Sequence, residues 1–228
     1  MRRLLHRGDQ QGMTLIELVV AMGLMSLLMA LVATMFVGTM RSFGDQRGSV
    51  TNSRMASTAM NEVTRIIRAG TEIPVYGSVD NTPVFLYAGA EQIIMHSFID
   101  AGVSTDPPPL KVQFARNANN ELVETRWEAY HVHTTYWAFQ TTTDYSRVVA
   151  RSLLAPSTTK PLFQYYDKDD NALVPAAGES LTTAQIRNIA SVTVTMQVQS
   201  DGSGRVAPIV LQNQVGLPNL GVARVEVH

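Results

Sequence analysis

There is no cysteine in this sequence. Any exported domain it encodes lacks disulfides and is held by its core alone, and a cysteine nucleophile is excluded. An excess of one charge is also missing. Lys and Arg number 18 and Asp and Glu 19, for a formal net charge of −1. That balance gives no electrostatic case for nucleic acid as a partner. Enzyme signatures are scarce: Ser, His and Asp occur, but in no Gly-x-Ser-x-Gly setting, and no Gly-rich phosphate loop follows a strand. No internal repeat and no long low-complexity linker interrupts the chain. The most telling absence is local. From Leu18 to Met40 there is no Asp, Glu, Lys, Arg or Pro.

What fills that gap is Leu, Val, Ala, Met, Phe and a few small residues. At ~1.5 Å per residue such a helix extends on the order of 35 Å, enough for a bilayer core of ~30 Å. It is apolar on every side, so it needs an apolar environment all round. A secretory signal would have a core of only ~7–15 residues and a small-residue cleavage site beyond it. Val37-Gly38-Thr39 is the nearest approach to such a site. A plain anchor would require nothing at Glu17, yet a carboxylate at the edge of a membrane helix is costly unless neutralised or paired. The α-amino group created by a cut between Gly12 and Met13 would pair it, on the same or a neighbouring subunit. Ahead of the cut, Met1–Gly12 carries Arg2, Arg3 and Arg7 against Asp9, which places this end in the cytoplasm and the C-terminal part across the membrane.

Gly12-Met13-Thr14-Leu15-Ile16-Glu17, entering this apolar run behind a basic leader, resembles the prepilin motif of type IV pilins and type II secretion pseudopilins. The resemblance implies that a prepilin peptidase cuts after Gly12, that Met13 becomes the N-methylated first residue, and that Glu17 is the carboxylate used in filament packing. It implies no catalytic residues and no cofactor. The implied partners are the peptidase, other pilins or pseudopilins met through the N-terminal helix, a membrane assembly platform, and the lipid bilayer before assembly. The implied place is the inner membrane, single-pass, and then an extracytoplasmic filament. A reading from another class stays open: a membrane-anchored or secreted binding or enzymatic domain that uses Leu18–Met40 only as anchor or signal.

The expected organisation is a leader at 1–12, a filament-core helix at 13–40, an amphipathic continuation at 41–70 and a β-rich domain at 71–228, a pilin-like α+β fold. Ala56, Met60, Val63 and Ile67 form a helical stripe able to cover a sheet, while Arg54, Asn61, Glu62, Arg65 and Arg68 take mostly other faces. Gly44 and Gly48 predict a flexible or kinked section. Gly70 reads as a C-terminal cap and Pro74 as the stop. No proline interrupts the helix, unlike many major pilins, which favours a minor subunit or pseudopilin.

Candidate strands are 83–87, 92–99, 110–115, 122–129, 136–141, 148–154, 163–167, 190–199 and 209–215. Turn signals stand at Asp106-Pro107-Pro108-Pro109, Asn117–Asn120 and Asp201-Gly202-Ser203-Gly204. A short helix is expected within Ser180–Arg187, capped by Ser180 or Thr182. The order of Phe163–Asp167, Asp169-Asp170-Asn171, the short helix, the long alternating strand and Val210–Asn213 resembles the larger minor subunits, the J-type pseudopilins and W-type minor pilins.

Two runs carry metal-ligand chemistry. His131-Val132-His133 would put both imidazoles on one side of a strand, with no further ligand nearby in sequence. Asp167-Lys168-Asp169-Asp170-Asn171 offers calcium-type oxygens from Asp167, Asp169, Asp170 and Asn171, without the Gly and distal Glu of an EF-hand. A solvated turn is the commoner use of such a run, so no bound metal is expected. Trp127, Tyr130, Tyr136, Trp137 and Phe139 form either a carbohydrate- or partner-binding face or ordinary edge packing.

Overall fold

A computed structural model describes residues 13–76, 80–99, 108–132, 136–157, 159–199 and 207–218. The leader with Gly12, residue His133, the Asp106-Pro107 part of one turn signal and the whole of Asp201–Gly204 lie outside the described residues.

The first element is a helix, α1, Leu15–Arg68. Gly44 and Gly48 both lie within its helical span. A helical glycine costs only ~1 kcal/mol relative to alanine, too little to break a long helix by itself. By its internal contacts the chain divides into two units, Met1–Arg47 and Gly48–His228. In the first, every described residue from Met13 to Arg47 is exposed. An 18-residue window there has a mean hydropathy of 2.5, long and apolar enough to cross a membrane.

In the second unit the predicted stripe is buried: Ala56, Met60, Val63 and Ile67, joined by Ala59 and Ile66. Full burial of a Val, Ile or Met side chain stabilises by roughly 1.5–3 kcal/mol, so this face fastens the helix to the core. The Ser97 hydroxyl adds a bond of 3.1 Å to the Ile66 carbonyl.

Two antiparallel sheets and a hairpin follow. The first sheet contains β1 (Phe85–Ala88), β2 (Gln92–Ser97), β3 (Leu110–Arg116), β4 (Leu122–Trp127) and β7 (Tyr145–Ala150), in the order β1-β2-β3-β4-β7. Between β4 and β7 the chain makes the hairpin of β5 (Ala129–Val132) and β6 (Tyr136–Phe139). The second sheet contains β8 (Phe163–Tyr166), β9 (Ala172–Leu173), β10 (Ser191–Val198) and β11 (Ile209–Gly216), in the order β11-β10-β8-β9. A short helix, α2, Thr183–Ile186, precedes β10, and its cap is Thr182 in a reciprocal box with Gln185. The α+β, pilin-like organisation expected from the sequence is therefore the one observed.

Several strand ends differ from the periodicity, because pairing decides them. The predicted 122–129 strand ends at Trp127, since Ala129 pairs with Phe139 of the hairpin instead. The predicted 148–154 strand starts earlier: Tyr145, Ser146 and Arg147 pair with Arg126, Thr125 and Glu124, while Leu153 bridges to Val198 of the second sheet. Gly70 is not a left-handed cap. Gly178 is the described glycine with positive φ, and Gly70 forms a bridge to Ser97. Its requirement is space, because an added Cβ would lie 2.8 Å from a Val84 methyl and 2.9 Å from the Met95 methyl and the Ile67 carbonyl.

Candidate functional site

The site predicted from the sequence is the start of α1. Thr14 precedes the first helical residue, Leu15, and its backbone N–H donates to Glu17 Oε2 at 3.1 Å. The Thr14 hydroxyl donates to the same oxygen at 2.9 Å, and the Glu17 N–H donates back to that hydroxyl at 3.3 Å. These reciprocal bonds make a capping box. They satisfy two of the N–H groups that every helix start leaves without an intrahelical partner, and they put a carboxylate at the positive end of the helix dipole. The spacing Thr-x-x-Glu was visible in the sequence, but the reading of Glu17 as a membrane-edge charge passed over it.

This geometry divides the labour of Glu17. Both Thr14 donors reach Oε2, and Oε1 accepts nothing among the described residues. One oxygen closes the helix and the other is open to a cation. Beyond Glu17 the helix presents only apolar and small side chains as far as Met40. The hydroxyls of Ser26, Thr34 and Thr39 turn back onto the carbonyls of Gly23, Leu31 and Met35 at 2.8–2.9 Å. Their polarity is thereby spent within the helix, and the surface offered outward is apolar.

A family model described as the prokaryotic N-terminal methylation motif matches residues 7–33. That motif is typical of type IV pilin-like proteins. No curated protein and no solved structure matches it. The matched residues end within the exposed part of α1, so the described part of the motif runs directly into the apolar helix. The motif marks a structural rather than an enzymatic family.

The other candidates have more local explanations. Asp167 caps the turn between β8 and β9: its Oδ1 accepts from the N–H groups of Asp169 and Asn171, both at 2.9 Å, and its Oδ2 from the Asn171 amide at 3.0 Å. These donors, Asn171 first, hold the Asp167 carboxyl below its ordinary range. Asp170 takes the left-handed φ of 59° that completes the turn. Among the described residues no three His, Cys, Asp or Glu side chains converge as a metal site would require. His131 lies with its ring 3.7 Å from that of Trp137. The remaining aromatics are spent largely on packing: Tyr136 meets Tyr76 edge-on at 5.4 Å, Phe139 stacks on His96 at 4.8 Å, and Lys111 lies over Trp127.

One constellation was not anticipated. Glu124 is fully buried and accepts from Arg126 Nε at 2.5 Å and Arg147 Nε at 2.7 Å. The same two arginines reach Glu62 of α1, which Arg65 also pairs at 3.0 Å. Burial alone would raise the Glu62 carboxyl, but Arg65, Arg147 and Arg126 outweigh it and hold it below the usual range. Burial alone would lower the Arg147 guanidinium, and Glu124 and Glu62 raise it instead. The cluster ties α1 to β4 and β7. Its signal in the sequence is the alternation Glu124-x-Arg126 on a strand, which puts both side chains on one face.

Proposed function

We propose that this chain is a minor pilin or pseudopilin, a structural subunit of a type IV pilus or a type II secretion pseudopilus. The observation that carries the reading is the methylation motif continuing directly into an exposed apolar helix. A prepilin peptidase removes the leader after Gly12, and Met13 is methylated. The subunit waits in the inner membrane with its C-terminal part outside. It leaves the bilayer when Leu18–Met40 packs against the corresponding helices of other pilins or pseudopilins on an assembly platform. Lipid already surrounds this apolar surface, so close packing and polar contacts, not burial from water, supply the specificity. The open Oε1 of Glu17 pairs with the N-terminal ammonium of a subunit in the filament. The order of elements after Phe163 supports a subunit of the J- or W-type, and no proline lies in α1.

Co-expression with a prepilin peptidase tests the processing step. The wild-type chain should shorten and begin at Met13, and Gly12→Ala should keep its full length. Identical mobility and identical N-termini would end the proposal. A mature start near Thr39–Ser42 would instead mark an ordinary secreted domain.

A further inference from the structure

Strand β11 ends its sheet, and among the described residues nothing pairs with its outer side. Hydrogen bonds on either side of β10 fix which way its backbone groups point. The Leu217 N–H donates to the Ala190 carbonyl, so the odd-numbered residues of β11 turn their N–H and C=O towards β10. On β10 the Thr195 and Gln199 N–H groups donate away from β11, to Leu162 and Ser152. The even residues of β10 therefore face β11, opposite its odd residues, in agreement. The N–H and C=O groups of Val210, Gln212, Gln214 and Gly216 thus point out of the sheet edge, and all four residues are exposed. Ile209–Gly216 contains no charge and no proline, the residues that usually protect such an edge. An edge of this kind is a template for another extended backbone.

We propose that the occupant is β11 of a second copy of this chain, running antiparallel about a two-fold axis at Asn213. The strand is self-complementary in that register. Val210 stands opposite Gly216 of the second copy and Gln212 opposite Gln214, so every outward N–H and C=O of both strands finds a partner. With the axis at Gln212 or Gln214 instead, Gly216 or Val210 respectively would lose its partner. Asn213 is exposed although Val215, on the same face, is buried. Beside its own copy its amide both donates and accepts, as two facing asparagines can. No like charges meet across the pair, because the strand carries none. The pairing uses neither α1 nor leader cleavage, so it goes beyond the filament role and stands or falls independently of it.

Asn213→Cys in the full chain, otherwise free of cysteine, tests this in detergent micelles under mild oxidation. The two Asn213 positions would form a non-hydrogen-bonded pair with Cα atoms about 4.5 Å apart, within reach of a disulfide. The two Val210 positions would stand about 20 Å apart, six residues at ~3.3 Å each. Asn213→Cys should therefore give at least about tenfold more linked dimer than Val210→Cys. Equal yields, or no linked dimer from Asn213→Cys, would overturn the proposal. Adding Gln212→Lys and Gln214→Lys to Asn213→Cys sets like charges opposite each other at exposed positions. The dimer yield should then fall at low salt and recover at high salt. A yield unmoved by these lysines would place the contact elsewhere and overturn the pairing. A chain ending at Pro218 that links where the full chain does not would show that the chain's own C-terminal residues occupy the edge, which also overturns it.

Discussion

From Leu15 to Arg47, α1 buries nothing, while from Asn52 to Ile67 one face of the same helix is buried in a core. Both stretches are helical and both contain strong helix formers, so propensity does not separate them. The distribution of apolar side chains does. The second stretch keeps them on one stripe that a single protein face can cover. The first carries them all round, and one face of its own chain could never cover that surface. The second stretch has found its partner within the chain, and the first needs an apolar environment on every side.

The largest effect should come from Glu17, the single charge between Met13 and Met40. Glu17→Ala removes both the cap and the charge, whereas Glu17→Gln keeps an amide oxygen to accept from Thr14 and removes the charge alone. If pairing with an ammonium drives assembly, both variants should be inserted and cleaved but nearly absent from filaments, as read by immunoblotting of sheared filament fractions. Normal incorporation of the Gln variant would reduce the role of Glu17 to capping the helix.

The second stretch should respond to loss of its buried ion pairs. Glu124→Ala takes the buried partner from Arg126 and Arg147, which are partly exposed and keep Glu62, and should cost about 1–3 kcal/mol of unfolding free energy in denaturant titration. Filament-core properties of the first stretch should be untouched. A cost below about 1 kcal/mol would show that water reaches the cluster and screens it.

Acid should act on the same sheet from its other face. His96 is buried on β2, stacked on Phe139. Burial, opposed by a hydrogen bond to the Pro83 carbonyl and helped by Lys111 nearby, lowers its pKa from 6.5 to about 4. The unfolded chain therefore binds this proton first. Stability is complete above about pH 6.5 and falls as the pH drops towards 4, by about 3 kcal/mol from this group. His96→Gln should flatten that part of the pH profile in equilibrium unfolding. An unchanged slope would assign the acid sensitivity to other groups.

The smallest effect lies at the join. Nothing stands within 4 Å of a Cβ added to Gly44 or Gly48, so alanine should be accepted at both and raise helix stability by up to ~1 kcal/mol each. Circular dichroism of the full chain in micelles would show it. A loss of helicity would mean that the glycines are needed for a conformation other than the continuous helix.

The sequence made legible whatever repeats locally. The apolar run, the stripe at Ala56, Met60, Val63 and Ile67, the box at Thr182 and the alternation of β10 all follow from period and spacing. It was silent where distant residues decide. The extra turn of strand at Tyr145–Arg147 exists because β4 lies beside it, and Gly70 is small because Val84 and Met95 arrive from elsewhere in the chain. The Glu62–Glu124 cluster joins residues from three elements and has no local mark beyond one alternating pair. Glu17 was found for its charge, and its second duty appeared only with the hydrogen bonds to Thr14.

Those bonds also bear on the proposed maturation. Among the described residues every atom of the helix cap belongs to Thr14 or Glu17, both on the mature side of the proposed cut between Gly12 and Met13. Under that proposal the cap is carried into the mature chain and processing acts on charge: Arg2, Arg3 and Arg7 leave with the leader, and one ammonium appears at Met13.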